Sequence, residues 1–591
     1  MQERWNEKLK LHPLLVAAGL ALIVFAVYGS VLAYGFVYDD VGQILQNPFV
    51  LNPRLWAKNF TTSVWAFQGI KTNFYRPLQF FLYWLLCHVA GLNPGPFHLL
   101  NLFLYVTSAW LVYRLGRELL GRELLAVAGA VLWVVHPLHV EAVAWISALP
   151  DLGCGVLYLL AFLLFLQAEK SASFSLLRHA LAALCFFAAL FFKEMAVSLL
   201  LIPLAYWFLY CARGSWRDRI IRWLPYWTAF GAYAIIRKSV LGFLSENPLR
   251  FKGLQQLVPT SLGLLGEHFR LFVWPAHLTA FRTFDLARTL RAPWPWVALL
   301  GLIVLLLLRK RDRVFSFLVA WWAVTLLPCL DFRLLSSPLI ADRFNYIPSV
   351  GLCLAVSYVI LERIPALLPS VRGTRYTLVG LVLLACLWTL QTRRTIPQWS
   401  GDEALMDSGF QIAPDSALLH LARAVIRQYR YNDLEGATRE YETAIELNKR
   451  SIKPLNGVVS EALLGLGRIA QTKGQTDEAV AFYEKAIQSS RVNSAAYDAL
   501  GAVYFPRHDY AKAAEYFSQA LSSNPYDFGA RFYLGTCWKK LGRYREAAQQ
   551  FRAAREADPT YWQAFEAEAS ALEAAGDIEG AALVRKLAYK K

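Results

Sequence analysis

Charge is scarce in this sequence. Charged residues fill 17% of 591 positions, against about a quarter in soluble domains, while apolar side chains fill 56%. That balance excludes an ordinary soluble protein, and the length excludes a single domain. Acidic residues are the scarcer sign, 43 against 60 basic ones, for a net charge of +17. A nucleic-acid partner is still not expected, because many of the cations stand in short clusters beside hydrophobic runs, where they orient membrane spans. Cysteine is sparse as well. Of eight, seven lie in or beside hydrophobic runs and none forms a CxxC pair, so neither a disulfide framework nor a zinc site is indicated. No cleavable leader is expected either: the apolar run 13–33 follows Arg4, Lys8 and Lys10, is longer than a signal-peptide core and has no A-x-A site, so it reads as a retained first span.

What the sequence does have is hydrophobic length. Further runs at 97–115, 124–138, 152–168, 177–192, 195–212, 220–240, 295–308, 314–330, 346–361 and 376–390 bring the expectation to about eleven spans. The clusters Arg114/Arg117/Arg122, Lys170/Arg178, Arg213/Arg217/Arg219/Arg222, Arg309/Lys310/Arg311/Arg313 and Arg363/Arg372/Arg375 all fall on one side if the N-terminus is cytoplasmic. Two other apolar stretches, 78–89 and 262–274, are short or interrupted by Glu267, His268 and Arg270, and read as interfacial or re-entrant helices. An odd span count then puts the C-terminal part in the periplasm or an equivalent lumen. If one of the two stretches crosses instead, that part faces the cytoplasm.

The C-terminal part repeats. Gly467, Gly501 and Gly535 are spaced by 34 residues, as are Ala486, Ala520 and Ala554, and Pro525 and Pro559. This is the tetratricopeptide period. Ala479, Ala513, Ala547 and Ala581, with Tyr483, Phe517 and Phe551, hold the matching positions, and an earlier unit with Ala437, Tyr441 and Ala444 is set off by about eight inserted residues around 449–457. Small residues let paired helices approach, aromatics fill the space between repeats, and the stack forms a superhelix with a concave groove. The expected fold is therefore all-α: a polytopic transmembrane helical bundle over residues 1–395, followed by a tetratricopeptide-repeat α-solenoid over 396–591.

Polar residues stand at the outer ends of the spans. After the first span come Tyr38, Asp39 and Asp40; adjacent carboxylates at a membrane exit are expensive unless used or solvated. The third span ends in His136-Pro137-Leu138-His139-Val140-Glu141, followed by Asp151; the fifth ends at Lys193-Glu194; the loop before the tenth reads Ala341-Asp342-Arg343-Phe344-Asn345-Tyr346. His136, His139 and Glu141 suggest metal ligands by type, but a spacing of i+5 turns Glu141 away from His136 and Pro137 disturbs the turn. No metal ligand is assigned among these residues, no cofactor is firmly implied, and a divalent metal ion is left open.

These residues carry a family resemblance. Tyr38-Asp39-Asp40 with Asn47, then Tyr75-Arg76-Pro77-Leu78, Phe97-His98-Leu99-Leu100-Asn101, the His-Pro-x-His-x-Glu-Ala-Val run, Lys193-Glu194, Arg343 and Tyr346-Ile-Pro-Ser-Val-Gly351 resemble, in order, the transmembrane and tetratricopeptide repeat O-mannosyltransferases, the TMTC family. The stretch 145–149 departs from a more polar Gly-Arg-x pattern there. The resemblance implies a GT-C type bundle, a polyprenyl- or dolichyl-phosphate sugar donor with mannose as the default sugar, and a protein Ser/Thr acceptor.

The chemistry suits the same residues. An acceptor hydroxyl needs a carboxylate to take its proton, and the leaving lipid phosphate needs fixed cations. Asp39 or Asp40 is expected as base, Arg343 and Lys193 as phosphate clamp, and His139, Glu141, Glu194, Arg76 and Tyr346 as substrate contacts, in an inverting displacement on the non-cytoplasmic side, against the membrane lipid. The repeat groove is expected to take the protein or peptide acceptor. Two alternatives stay open: a GT-C enzyme that glycosylates a lipid or glycan, and a non-catalytic membrane-anchored repeat scaffold. A transporter would place its charges at the midplane, not gathered at one face.

Overall fold

The computed structural model describes residues 11–70, 72–171, 176–210, 215–243, 254–331, 339–367, 371–451, 454–490, 493–557 and 561–589. Arg4, Lys8, Lys10, Arg213, Cys211 and Pro559 lie outside them. Every regular element among the described residues is helical. The chain divides into two compact units, one of residues 1–45 and 75–413, the other of 46–74 and 414–591.

In the first unit, each of the eleven apolar runs falls on a helix. Among the described residues six helices have the length and composition to cross a membrane, Pro13–Ala33, Pro94–Leu120, Ile146–Glu169, Arg313–Leu330, Pro348–Leu367 and Arg375–Trp399, and the bent pair Glu123–Val135 with Pro137–Ala144 makes a seventh if it is one span. Four others are apolar but shorter, Pro77–Ala90, Leu176–Phe192, Glu194–Tyr210 and Trp294–Leu307. The stretches at 78–89 and 262–274 form helices Pro77–Ala90 and Leu254–Val273. Local chemistry sets several boundaries. The Asn93 side chain accepts from the Gly95 N–H and Pro94 follows it at the first position of helix Pro94–Leu120, which Gly121 ends in a left-handed conformation at φ 68; such caps satisfy the end groups that a helix leaves unpaired.

The breaks matter more than the helices. His136, Trp145 and Lys193 all adopt extended backbone between helical segments, and helix Glu123–Val135 meets 137–144 at a bend of 55°. Irregular backbone among membrane helices survives only where protein buries it or where it lines a cavity. An extended residue also sends its neighbours to opposite sides, and at each break a polar side chain is thereby turned inward.

The second unit contains five helix pairs, from Ala417–Tyr429 with Leu434–Arg450 to Trp562–Ala574 with Ile578–Tyr589. Left-handed residues join the helices within each pair: Asn432, Gly474, His508, Gly542 and Gly576. The last four are 34 residues apart, and the first gap is 42, so the eight extra residues fall between Asn432 and Gly474. The small residues have the expected role. A Cβ on Gly467, Gly501 or Gly535 would lie 2.4 to 2.9 Å from the ring of Tyr483, Phe517 or Phe551. Segment 46–74 belongs to this unit. The Asn524 amide donates to the Phe67 carbonyl (3.1 Å) and the Ser494 hydroxyl to the Gln68 carbonyl (3.2 Å); Tyr526 takes Phe49 edge-on at 4.8 Å and Lys58 over its face. Gly69, at φ 74, approaches so closely that a Cβ would sit 2.6 Å from Asn524.

Candidate functional site

The turn after the first span separates its two acids. Asp40 is 1% exposed. Its Oδ1 accepts from the Ser147 N–H (2.8 Å) and hydroxyl (2.5 Å), and its Oδ2 from the Val37 N–H (2.9 Å). Three converging donors are the pattern of an ionised carboxylate, although burial and the charge of Asp39 push its pKa up to about 7. Asp39 is half-buried, and among the described residues no group donates a hydrogen bond to it. Burial pushes its carboxyl up to about 6, and the charges of Arg343 and Arg76 restrain the rise.

Around Asp39 the helix breaks deliver alternating charges. Arg343 lies on the short helical turn Asp342–Asn345. Its guanidinium pairs with Glu141, its N–H donates to the same carboxylate (2.9 Å), and its Nε stands 3.9 Å from Asp151. The guanidinium also lies over Trp145 at 5.2 Å. At the next break Lys193 and Glu194 point apart. Lys193, 4% exposed, binds Asp151 at 2.5 Å; Glu194 accepts from Arg76 at 3.1 Å. Arg76 precedes Pro77, which starts its helix and confines the preceding residue to non-helical backbone. A small cavity lies behind these charges, lined by Asp151, Lys193, Arg343 and Tyr346 among others. The Arg343 turn is anchored in turn: Asp342 accepts from the Thr279 N–H (3.0 Å) and from Arg282 (3.1 Å).

The structure thus brings together Asp39, Asp40, Arg76, Glu141, Lys193, Glu194 and Arg343. His139 and Tyr346 stand behind them in an aromatic layer with Tyr105 and Trp133. His139 is fully buried, with Nδ1 on the Tyr105 hydroxyl (3.0 Å) and Nε2 on the Ser349 hydroxyl (2.9 Å). His136 lies apart from Glu141, its Nε2 3.2 Å from the Phe272 carbonyl. Among the described residues no group of three His, Cys, Asp or Glu side chains is placed to hold a metal ion.

Several neighbours had no role in the sequence reading. Ser147 and Trp145 lie in the stretch that departs from the family pattern, yet one binds Asp40 and the other supports Arg343. Nothing in a lone serine would have marked it. Arg237, 5% exposed in helix Trp216–Leu241, donates to Tyr233 (3.2 Å) and contributes its charge to Glu194; a cation inside an apolar run was the available signal.

Family models described as tetratricopeptide repeat match residues 460–493 and 507–569. A protein of Caenorhabditis elegans, "Protein O-mannosyl-transferase F38B6.6", is 24% identical over 69% of this chain and 59% of its own length. Human "Protein O-mannosyl-transferase TMTC1" is 26% identical over 76% and 57%, and Drosophila melanogaster "Protein O-mannosyl-transferase Tmtc1" 34% over 31% and 22%. The chain spans about three-fifths or less of the length of these curated relatives. Its resemblance to the TMTC family, read above from ordered motifs, is the same one. Among solved structures, "YrrB: a TPR protein with an unusual peptide-binding site" is 25% identical over 31% of this chain and 91% of its own, with a TM-score of 0.26; "MamA protein" is 20% identical over 29% and 90%, with a TM-score of 0.25.

Proposed function

We propose that this chain is an integral-membrane glycosyltransferase of GT-C type. It moves a sugar, mannose by resemblance, from a polyprenyl- or dolichyl-phosphate donor to a Ser or Thr hydroxyl of a protein. The observation that carries the reading is the division of labour in the acidic pair: Asp40 accepts from three donors, whereas Asp39 is half-buried, accepts no hydrogen bond among the described residues and feels the charges of Arg343 and Arg76.

In this mechanism Asp39 takes the proton of the acceptor hydroxyl as its oxygen bonds to the anomeric carbon. The bond from that carbon to the phosphate oxygen breaks, and the lipid phosphate departs with the electron pair. A phosphate leaves without a separate acid, so a single inverting displacement suffices. Arg343 faces the departing charge. A guanidinium carries five N–H groups, so its bond to Glu141 leaves donors for a phosphate oxygen while fixing the plane of the fork. Lys193 adds charge from behind, Glu194 and Arg76 contact substrate, and Glu141, His139 and Tyr346 support Arg343 and its loop. The five cation clusters support placing this chemistry and the repeats on the non-cytoplasmic side, in a bacterial inner membrane or an ER-like one, with the repeat groove holding the acceptor.

Purified full-length protein incubated with polyprenyl-phosphate mannose, glucose or aminoarabinose and Ser/Thr-containing peptides tests the reading by mass spectrometry of the products. Sugar on a peptide hydroxyl, lost in Asp39→Asn, is the expected result. Transfer to lipid or glycan alone would replace the acceptor class, and no turnover of any donor would favour a scaffold.

A further inference from the structure

Of two adjacent carboxylates, the chain sends one into the Ser147 pocket and leaves the other outside it. The turn at 37–41 does so through an unusual backbone. Tyr38 has φ 57, the left-handed region that a residue with a Cβ seldom occupies and that persists only when the surroundings over-determine it. Two surroundings do so here. The Tyr38 ring sits edge-on to Phe281 at 5.5 Å and against Trp145 at 6.1 Å. The Tyr38 N–H donates to Asp402 Oδ1 at 2.8 Å. The same region holds a second contact: Trp399, 1% exposed, stacks on Trp145 at 5.4 Å, the ring that lies under Arg343.

We propose that Asp402 is a positioning residue for Asp39. It acts through the backbone of Tyr38, holding the left-handed turn that aims Asp39 at the substrate while Asp40 stays in its pocket. This rests on the reading of Asp39 as base. Asp402 is the first residue of helix Asp402–Ile412, and the N-cap position before it is Gly401. A carboxylate in the first turn of a helix also favours that helix through the macrodipole, and this second role makes a different forecast for substitutions.

Three variants of the full-length protein, assayed with polyprenyl-phosphate mannose and a Ser/Thr-containing peptide, separate the two. Asp402→Asn keeps an acceptor oxygen for the Tyr38 N–H but no charge, and should retain at least half the wild-type kcat. Asp402→Glu keeps the charge but shifts the acceptor by a methylene, and should lose several-fold. Asp402→Ala should lose about tenfold to 10²-fold in kcat, the upper figure being the cost of a catalytic group misplaced by about 1 Å, with the KM for donor within twofold of wild type. Glu active and Asn impaired would assign Asp402 to the helix and overturn the proposal, as would Asp402→Ala at wild-type kcat while Asp39→Asn is inactive. Asp39→Asn at wild-type kcat would instead overturn the base assignment beneath it. Should Asp402→Ala fail to accumulate, the Asn and Glu pair decides alone.

Discussion

The two units solve the burial of polar groups in opposite ways. Within the repeats many polar contacts are local: Asp433, Asp509 and Asp527 each cap a helix that begins at the next residue, the buried Glu568 pairs with Arg552 and Arg555 of the preceding helix, and alanine, leucine and aromatic side chains fill most of the interior. In the membrane unit the charges are buried and their partners are distant. Arg343 pairs with Glu141 across 202 residues of chain, Arg76 with Glu194 across 118, and Asp40 with Ser147 across 107. Local contacts repeated five times tolerate loss, because each repeat leans only on its neighbours. A buried charge depends on a few fixed partners, and removing one is costly. The contrast teaches where chemistry belongs: the repeat unit is built of interchangeable parts, and the membrane unit holds residues for which no second copy exists.

The largest expected effect falls on the membrane unit. Asp39→Asn should lose about 10²-fold or more in transfer rate with the donor still bound, since it removes the base and little else. Asp40→Asn should differ, because its amide would meet the Val37 N–H donor to donor. It should cost about 1 to 3 kcal/mol of stability, read as a lower Tm. Equal and purely catalytic losses in both would erase the division between the two acids.

Next comes the phosphate clamp. Arg343→Ala should lower kcat/KM by about 2 to 4 kcal/mol, and Arg343→Lys should recover only part, lacking the planar fork. The pH profile gives the same comparison a sign. A base must be ionised, so transfer should fall as pH drops through about 6, the value for Asp39. The charge of Arg343 lowers that value, so in Arg343→Gln the limb should move to higher pH. A limb that stays in place would separate the arginine from the acid.

Smaller effects are expected in the repeat unit. Gly501→Ala places a methyl 2.7 Å from the Phe517 ring and should cost about 1 to 3 kcal/mol by overpacking, felt in one repeat and its neighbours. Gly69→Ala meets Asn524 and a left-handed backbone, and should loosen segment 46–74, seen as faster proteolysis of that segment. A large loss of donor hydrolysis in Gly501→Ala would break the separation of roles. The mildest change is Asp477→Cys, whose side chain is 99% exposed. It should leave activity intact and react with a membrane-impermeant reagent from the non-cytoplasmic side; labelling only after lysis would reverse the topology.

The repeats were legible because period, turn and packing are properties of neighbouring residues. The left-handed turn position could be counted along the chain, and so could the eight-residue insertion. The apolar runs were legible for the same reason. At the site, residue types at span ends point to Asp39, Asp40, Lys193, Glu194 and Arg343. His139 was equally prominent in its motif, yet it is buried with both ring nitrogens occupied, while Ser147, Arg282 and Asp402 carried no mark at all.

By itself the sequence determined the helices, the repeat register and the gathering of charge at span ends, since each follows from hydrophobicity, propensity and spacing over a few turns of chain. Only the tertiary structure decided which acid of the pair is bound and which is open, which carboxylates restrain Arg343, and that segment 46–74 joins the repeats. Those outcomes depend on pairings across one hundred to more than four hundred residues, and such pairings are set by how helices pack, which no local pattern encodes.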